Sequence, residues 1–279
     1  METWLLFAFG AILLYGTSQV AQKLSLGTLL APSVILLSLV VATPIYAICL
    51  APYVVSGELF ETDAITFIIA IVAASFGQLG YYLYVEAAQR GPISIVGSVT
   101  AAYPIMVIAV AIVFLSETPG TVQLVGAVLV TASIIGLSYI HGRGESSSCM
   151  SGKCFTLCIA SLFAYGFWGI LTKLSLGDMP TMMVLGMYSI VIPPTVVLYY
   201  LAKRIRFRQA VPSWSTPLLI AIVATLVGNI GFLMDVYAID GGPASIVFPL
   251  IAAYPVIVIL LARAFLKERL GKWETVMAG

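Results

Sequence analysis

The sequence predicts an all-α, polytopic membrane protein: an inverted repeat of two five-helix units, with nine full transmembrane helices and a truncated tenth. Three observations carry that expectation. Of 279 residues, 61% are hydrophobic and 9% charged, whereas charged residues make up about 25% of an ordinary soluble domain. The apolar residues fall in runs of about 20, the length a helix needs to cross a bilayer core about 30 Å thick. The second half of the chain also repeats the first. GPISIVGSVTAAYPIMV from Gly91 aligns without a gap on GPASIVFPLIAAYPVIV from Gly242, at an offset of 151 with 10 of 17 positions identical.

The first run, 4 to 22, follows only Glu2 and Thr3, so the basic n-region of a cleavable signal peptide is missing and the helix is expected to be retained. Further runs cover 29 to 53, 64 to 86, 92 to 115 and 121 to 140. In the second half they cover 154 to 174, 180 to 201, 215 to 238 and 243 to 266. The third and eighth correspond, since AIVAASFGQLG from Ala70 matches AIVATLVGNIG from Ala221. The first and sixth share a Tyr-Gly and a KLSLG, at Tyr15 and Lys23 and again at Tyr165 and Lys173. A stretch rich in Gly, Ser and charge, His141 to Lys153, reads as the connector. The units are then residues 1–141 and 154–279, joined by a linker over 142–153. By the repeat, a tenth span should open near Lys272, and the sequence stops at Gly279, so a shortened last helix is expected.

Charge sets the expected orientation. With the N-terminus outside, twelve of the thirteen Lys and Arg residues face the cytoplasm and only Lys173 does not. An odd number of spans per unit then turns the second unit upside down, and Lys23 and Lys173 end on opposite faces. A net charge near +1, with no basic face, argues against a nucleic-acid partner. Four scattered cysteines and the lone His141 match no zinc spacing, so neither a metal nor another cofactor is expected.

The fourth span of each unit starts with Gly-Pro and carries a second proline in mid-span, Pro104 and Pro255. A mid-helix proline cannot donate its hydrogen bond, so each helix should bend and leave a carbonyl needing a partner inside the protein. Matched interruptions in two repeats point to a binding site near the bilayer midplane, with the two prolines as hinges. Tyr103 and Tyr254 stand beside them. The third and eighth spans hold the most polar matter, including Gln78, Tyr81, Tyr84 and Glu86 against Asn229 and Asp235. Amides and phenols can orient a small polar ligand at moderate burial cost, and Trp168 on the sixth span adds an aromatic face. Glu86 and Asp235 are the carboxylates within spans. They are candidates for coupling to a proton or cation, weighed against interfacial or structural roles, since Glu86 stands four residues before Arg90. Gly16 and Gly166 allow close helix approach.

No phosphate loop, nucleophile elbow or metalloprotease motif occurs, and a non-enzyme is expected. Internal duplication of this kind is the usual build of a secondary transporter. The alternative is an ion channel or small-cation transporter, although no filter-like run of residues is present.

Two units, each with a proline-bearing fourth helix that ends in a short turn with glutamate (Pro104 to Glu117, Pro255 to Glu268), resemble the drug/metabolite transporter superfamily and within it the EamA-like transporters. The resemblance covers essentially the whole chain. It implies a ten-helix fold around a central cavity bounded mainly by helices one, three, four, six, eight and nine, alternating access, and a small organic substrate such as an amino acid, sugar, nucleobase or amphipathic drug. The expected location is the plasma membrane. The external N-terminus departs from the cytoplasmic termini usual in that family. The expected partners are the small-molecule substrate and the lipid bilayer, with a homodimer open as an assembly.

Overall fold

The computed structural model describes residues 3–108, 151–206 and 213–266, with isolated positions 120, 121, 125, 126 and 129. The fifth predicted span, the linker before 151 and the whole of the shortened tenth span lie outside them, isolated positions of the fifth apart. Within the described residues the chain is helical, with seven helices long and apolar enough to cross a bilayer and an eighth shorter one. They are α1 (Thr3–Leu26), α2 (Ala31–Ser56), α3 (Ala64–Arg90), α4 (Ile93–Ile108), α5 (Gly152–Ser175), α6 (Thr181–Lys203), α7 (Thr216–Gly241) and α8 (Ala244–Leu266). By the sequence repeat, α1 to α4 correspond in order to α5 to α8.

The helices start and stop where the side chains dictate. Asp63 caps α3, its carboxylate accepting from the amides of Ile65 at 2.9 Å and Thr66 at 3.3 Å. Ser151 caps α5 by accepting from the amide of Cys154. Such caps satisfy amides that the first turn leaves unbonded. Lys23, at the end of α1, donates to the carbonyls of Ala88 (2.6 Å) and Gly91 (2.7 Å) at the end of α3. Lys173, at the end of α5, does the same to Ile239 (2.8 Å) and Gly242 (3.1 Å) at the end of α7. A cation placed on a helix C-terminus is favoured by both the unpaired carbonyls and the helix dipole.

These contacts fix relative directions. The ends of α1 and α3 meet at Lys23, so the two helices run the same way, as α5 and α7 do through Lys173. Cys154, starting α5, donates to Ala87 O near the end of α3, so α5 runs against α3. Trp4, starting α1, lies against Gly242 at the end of α7, where an added Cβ would meet its Cδ2 at 2.9 Å. α1 therefore runs against α7. Packing follows the same pairing: α1 lies along α7 and α3 along α5, α1 touches α8 and α4 touches α5, while α2 packs on α6 and α4 on α8. Each contact between the halves has its counterpart under the exchange of α1–α4 with α5–α8.

Three helices are interrupted. α4 pauses over residues 101–103 and resumes at Pro104, and α8 pauses over 252–254 and resumes at Pro255. In both, the chain tightens to three-residue bonds: Ala102 N to Val99 O and Ile105 N to Ala102 O, against Ala253 N to Leu250 O and Val256 N to Ala253 O. The missing N–H of each proline is the physical cause. Apart from a π-helical end to α8, Ala262–Leu266, the third interruption is a π-helical segment, Ser38–Ala42, in α2. It ends just before Pro44, and the amide of Thr43 reaches back five residues to Ser38 O. Outward faces are apolar, as at Leu6, Phe9 and Leu13 of α1. That is what a lipid-facing surface requires.

Candidate functional site

All three interruptions face one cavity of about 170 Å³ between the halves. The seven residues the sequence proposes for substrate contact all line it: Gln78, Tyr81, Tyr84, Tyr103, Trp168, Asn229 and Tyr254. Tyr103 and Tyr254 belong to the paired pauses before Pro104 and Pro255, which are buried behind them. Ser38 and Ala42 bring the π-helical segment to the same wall.

Each helix supplies its residues by its period. Gln78 and Tyr81, three apart on α3, fall on one face, and the Tyr81 hydroxyl accepts from Gln22 Nε2 of α1 at 2.9 Å. Asn229 on α7 accepts from the Tyr46 hydroxyl of α2 and donates to Thr225 O at 2.7 Å. The Tyr254 hydroxyl donates to Gly97 O across the α4–α8 contact. Around these runs an aromatic wall: Tyr103 meets Tyr165, Trp168 and Phe248, each with centroids 6.0 Å apart, and Tyr188 meets Phe232 at 5.0 Å. Tilted and edge-on pairs of this kind each add about 0.5–1.5 kcal/mol beyond area burial.

The two carboxylates part company. Asp235 is 1% exposed and lines the cavity; its Oδ2 accepts from the Tyr15 hydroxyl at 2.8 Å, while its Oδ1 has no hydrogen-bond partner among the described residues. It lies a turn and a half inside α7 rather than at its end. Glu86 stands away from the cavity. Arg90 pairs with its Oε2 at 2.5 Å, and its Oε1 takes Lys203 at 2.9 Å and the Tyr199 hydroxyl at 2.5 Å, tying the end of α3 to the end of α6. Arg90 was legible as a partner from its spacing; Lys203 and Tyr199, more than a hundred residues away, were not.

The site also contains residues that the sequence reading passed over: Tyr46 on α2, Tyr188 on α6 and Phe232 on α7. The available signal was position, because Tyr46 and Tyr188 fall in the middle of apolar spans, away from the interfacial belts where tyrosine is ordinarily found.

A model of the EamA-like transporter family matches residues 2–139 and again residues 152–279. The chain belongs to the EamA-like transporter family. Both matches together take in nearly the whole chain, so each half of this EamA-like transporter is one family unit, and the protein is a multi-pass membrane protein. No curated protein matches it. Among solved structures, one described as the crystal structure of a protein is similar in fold at 17% identity, with a TM-score of 0.69, covering 99% of this chain and 93% of that one.

Proposed function

We propose that this EamA-like transporter is a secondary transporter that carries a small organic metabolite by alternating access, and that its two units form an inverted repeat. The observation carrying the reading is the cavity between the halves, walled by residues that the repeat pairs: Gln78 with Asn229, Tyr103 with Tyr254, and the helix breaks at Pro104 and Pro255. A site shared by two units is open to either face when the units rock, and broken helices give it main-chain groups and points of bending. The antiparallel packing of α1 on α7 and of α3 on α5, and the positions of Lys23 and Lys173 at opposite ends of the bundle, support the inversion.

Tyr103 and Tyr254 act as the opposed contacts, Gln78 and Asn229 orient the polar end of the substrate, and Tyr81, Tyr84 and Trp168 cover the remainder. Pro104 and Pro255 are the hinges. For coupling to a proton or cation, Asp235 is favoured by its place in the cavity, while Glu86 is held by its ion pairs as a structural tie between α3 and α6. The N-terminus is external on the charge bias, and the plasma membrane is the proposed location.

Two measurements decide this reading. Lys23→Cys and Lys173→Cys proteins, labelled in intact cells with a membrane-impermeant maleimide, should react from opposite sides, with position 173 outside; labelling of both from one side sinks the inversion. Proteoliposomes offered radiolabelled amino acids, nucleobases, sugars and amines should accumulate at least one class, and Tyr103→Ala or Tyr254→Ala should abolish that uptake without loss of inserted protein. Single-channel currents in place of saturable uptake would favour the channel reading.

A further inference from the structure

Six buried side-chain polar atoms lack a hydrogen-bond partner among the described residues, on Gln19, Gln78, Tyr84, Trp168, Tyr188 and Asp235, and all six residues line the cavity. Buried polar atoms are ordinarily paired, and each one left unpaired costs free energy, so a concentration of them in one chamber marks groups held for a ligand. Three of the six, Gln19 Oε1, Gln78 Oε1 and Asp235 Oδ1, are oxygens that only accept. Among the described residues of the lining, Asp235 is also the one charged residue, with no lysine, arginine or histidine beside it.

The repeat makes the charge one-sided. The position equivalent to Asp235 in the first half is Tyr84, at the offset of 151, so related positions present a carboxylate and a phenol. Much of the remaining wall is aromatic, with Tyr15, Tyr46, Tyr103, Trp168 and Tyr254 among it. Aromatic faces attract cations through the ring quadrupole, most strongly where water is excluded. A carboxylate in an apolar chamber is stabilised by a cation carrying several N–H donors and repels an anion.

Resting on the transporter reading above, we infer that the cavity selects a small primary amine with a flat apolar body, its ammonium on Asp235 Oδ1, and rejects the corresponding amino acid, whose carboxylate finds no cationic partner among the described lining residues. Acceptor oxygens of Gln19 and Gln78 take the further ammonium hydrogens, and the aromatic wall covers the apolar body. About 170 Å³ is below the 300–1,000 Å³ usual for drug-sized ligands, which confines the body to the scale of a single ring.

The test uses the purified full chain in detergent and three probes sharing one body: phenethylamine, 2-phenylethanol and phenylalanine, titrated by calorimetry or thermal shift. The expected result is a Kd for phenethylamine at least about tenfold below both others, with the Asp235→Asn protein bringing amine and alcohol to within about threefold of each other. Glu86→Gln, which removes a carboxylate outside the cavity, should leave the ranking unaltered. Equal or tighter binding of phenylalanine or the alcohol, an amine preference that survives Asp235→Asn, or no binding of any probe up to millimolar concentrations overturns the inference. Should Asp235→Asn fail to fold, the ranking on the unaltered protein decides alone. Amine binding without uptake of any solute into proteoliposomes would instead sink the transporter reading and leave the selectivity standing.

Discussion

Adding one methyl group at Gly16 should cost the fold more than adding it at Gly166, although the two positions are equivalent in the repeat. At Gly16 of α1 a Cβ would stand 2.5 Å from both Cβ and Cγ2 of Ile257 on α8. At Gly166 of α5 it would stand 2.8 Å from Sδ and 3.0 Å from Cβ of Met106 on α4. Met106 and Ile257 are themselves related by the offset of 151, so the same helix contact is made twice with different side chains. Carbon atoms prefer about 3.5–4.0 Å, so Ile257 must withdraw by about 1 Å. Its Cβ is fixed to the backbone and branched, and α8 has to move with it. The Met106 thioether can instead swing aside about its rotatable bonds, with only a few tenths of an ångström asked of its Cβ. Overpacking costs about 1–3 kcal/mol, and alanine contributes about 1 kcal/mol of helix propensity over glycine in both variants. The expected outcome is a net loss of about 1–2 kcal/mol for Gly16→Ala and a change within about 1 kcal/mol of zero for Gly166→Ala. Reversible unfolding of both proteins in mixed micelles, followed by tryptophan fluorescence, measures the difference. Equal stabilities, or a Gly16→Ala protein more stable than the parent, would refute the close α1–α8 approach on which the reasoning depends.

Three other outcomes are expected. Asp63→Ala should lower stability by about 1 kcal/mol, the usual worth of an N-cap, and should raise amide exchange confined to the first turn of α3; no local exchange change contradicts the capping role. Glu86→Gln breaks pairing with Lys203 and Arg90, and because both cations are partly exposed the loss should be about 1–2 kcal/mol rather than the larger figure for a fully buried pair; an unchanged unfolding midpoint counts against the tie between α3 and α6. Gly77→Ala places a Cβ 2.5 Å from the Tyr188 hydroxyl and 2.9 Å from Trp168 Cδ1, so the cavity wall must shift and the affinity of any bound probe should fall by about tenfold, about 1.4 kcal/mol; undiminished affinity would show that these rings do not shape the binding space.

The features that were legible in the sequence are those with a local physical cause. Proline removes a donor wherever it stands, so the breaks ahead of Pro104 and Pro255 could be placed to within a few residues, and the duplication drew attention to their shared surroundings at Tyr103 and Tyr254. Gln78 and Asn229 stood out because a polar amide in a lipid span needs a reason. The π-helical segment before Pro44 follows from the same missing donor, but its counterpart at the offset of 150, Pro194, stands in a helix that stays α-helical, so the pair of prolines does not mark a pair of breaks. Glu86 was identified with coupling and structural readings both open, and the contacts that bear on the choice, Lys203 and Tyr199, are brought in by folding from α6. Asp240-Gly-Gly, five residues after Asp235 in the sequence, suggests a nearby helix end, whereas α7 continues to Gly241 and leaves the carboxylate inside. Tyr46 and Tyr188 show the same limit: which face of an all-apolar helix looks inward is set by its neighbours, since such a helix has no polar side to mark it.

The substitution that places a phenol at 84 where its counterpart at 235 is an acid has a statistical consequence. Two identical halves would hold a guest equally well in either of two orientations, head towards one unit or head towards the other, and neither orientation would be preferred. With the acid on one side only, the proposed site lifts that degeneracy: a guest held there by its head would have a front and a back, its head at the second unit and its tail towards the first.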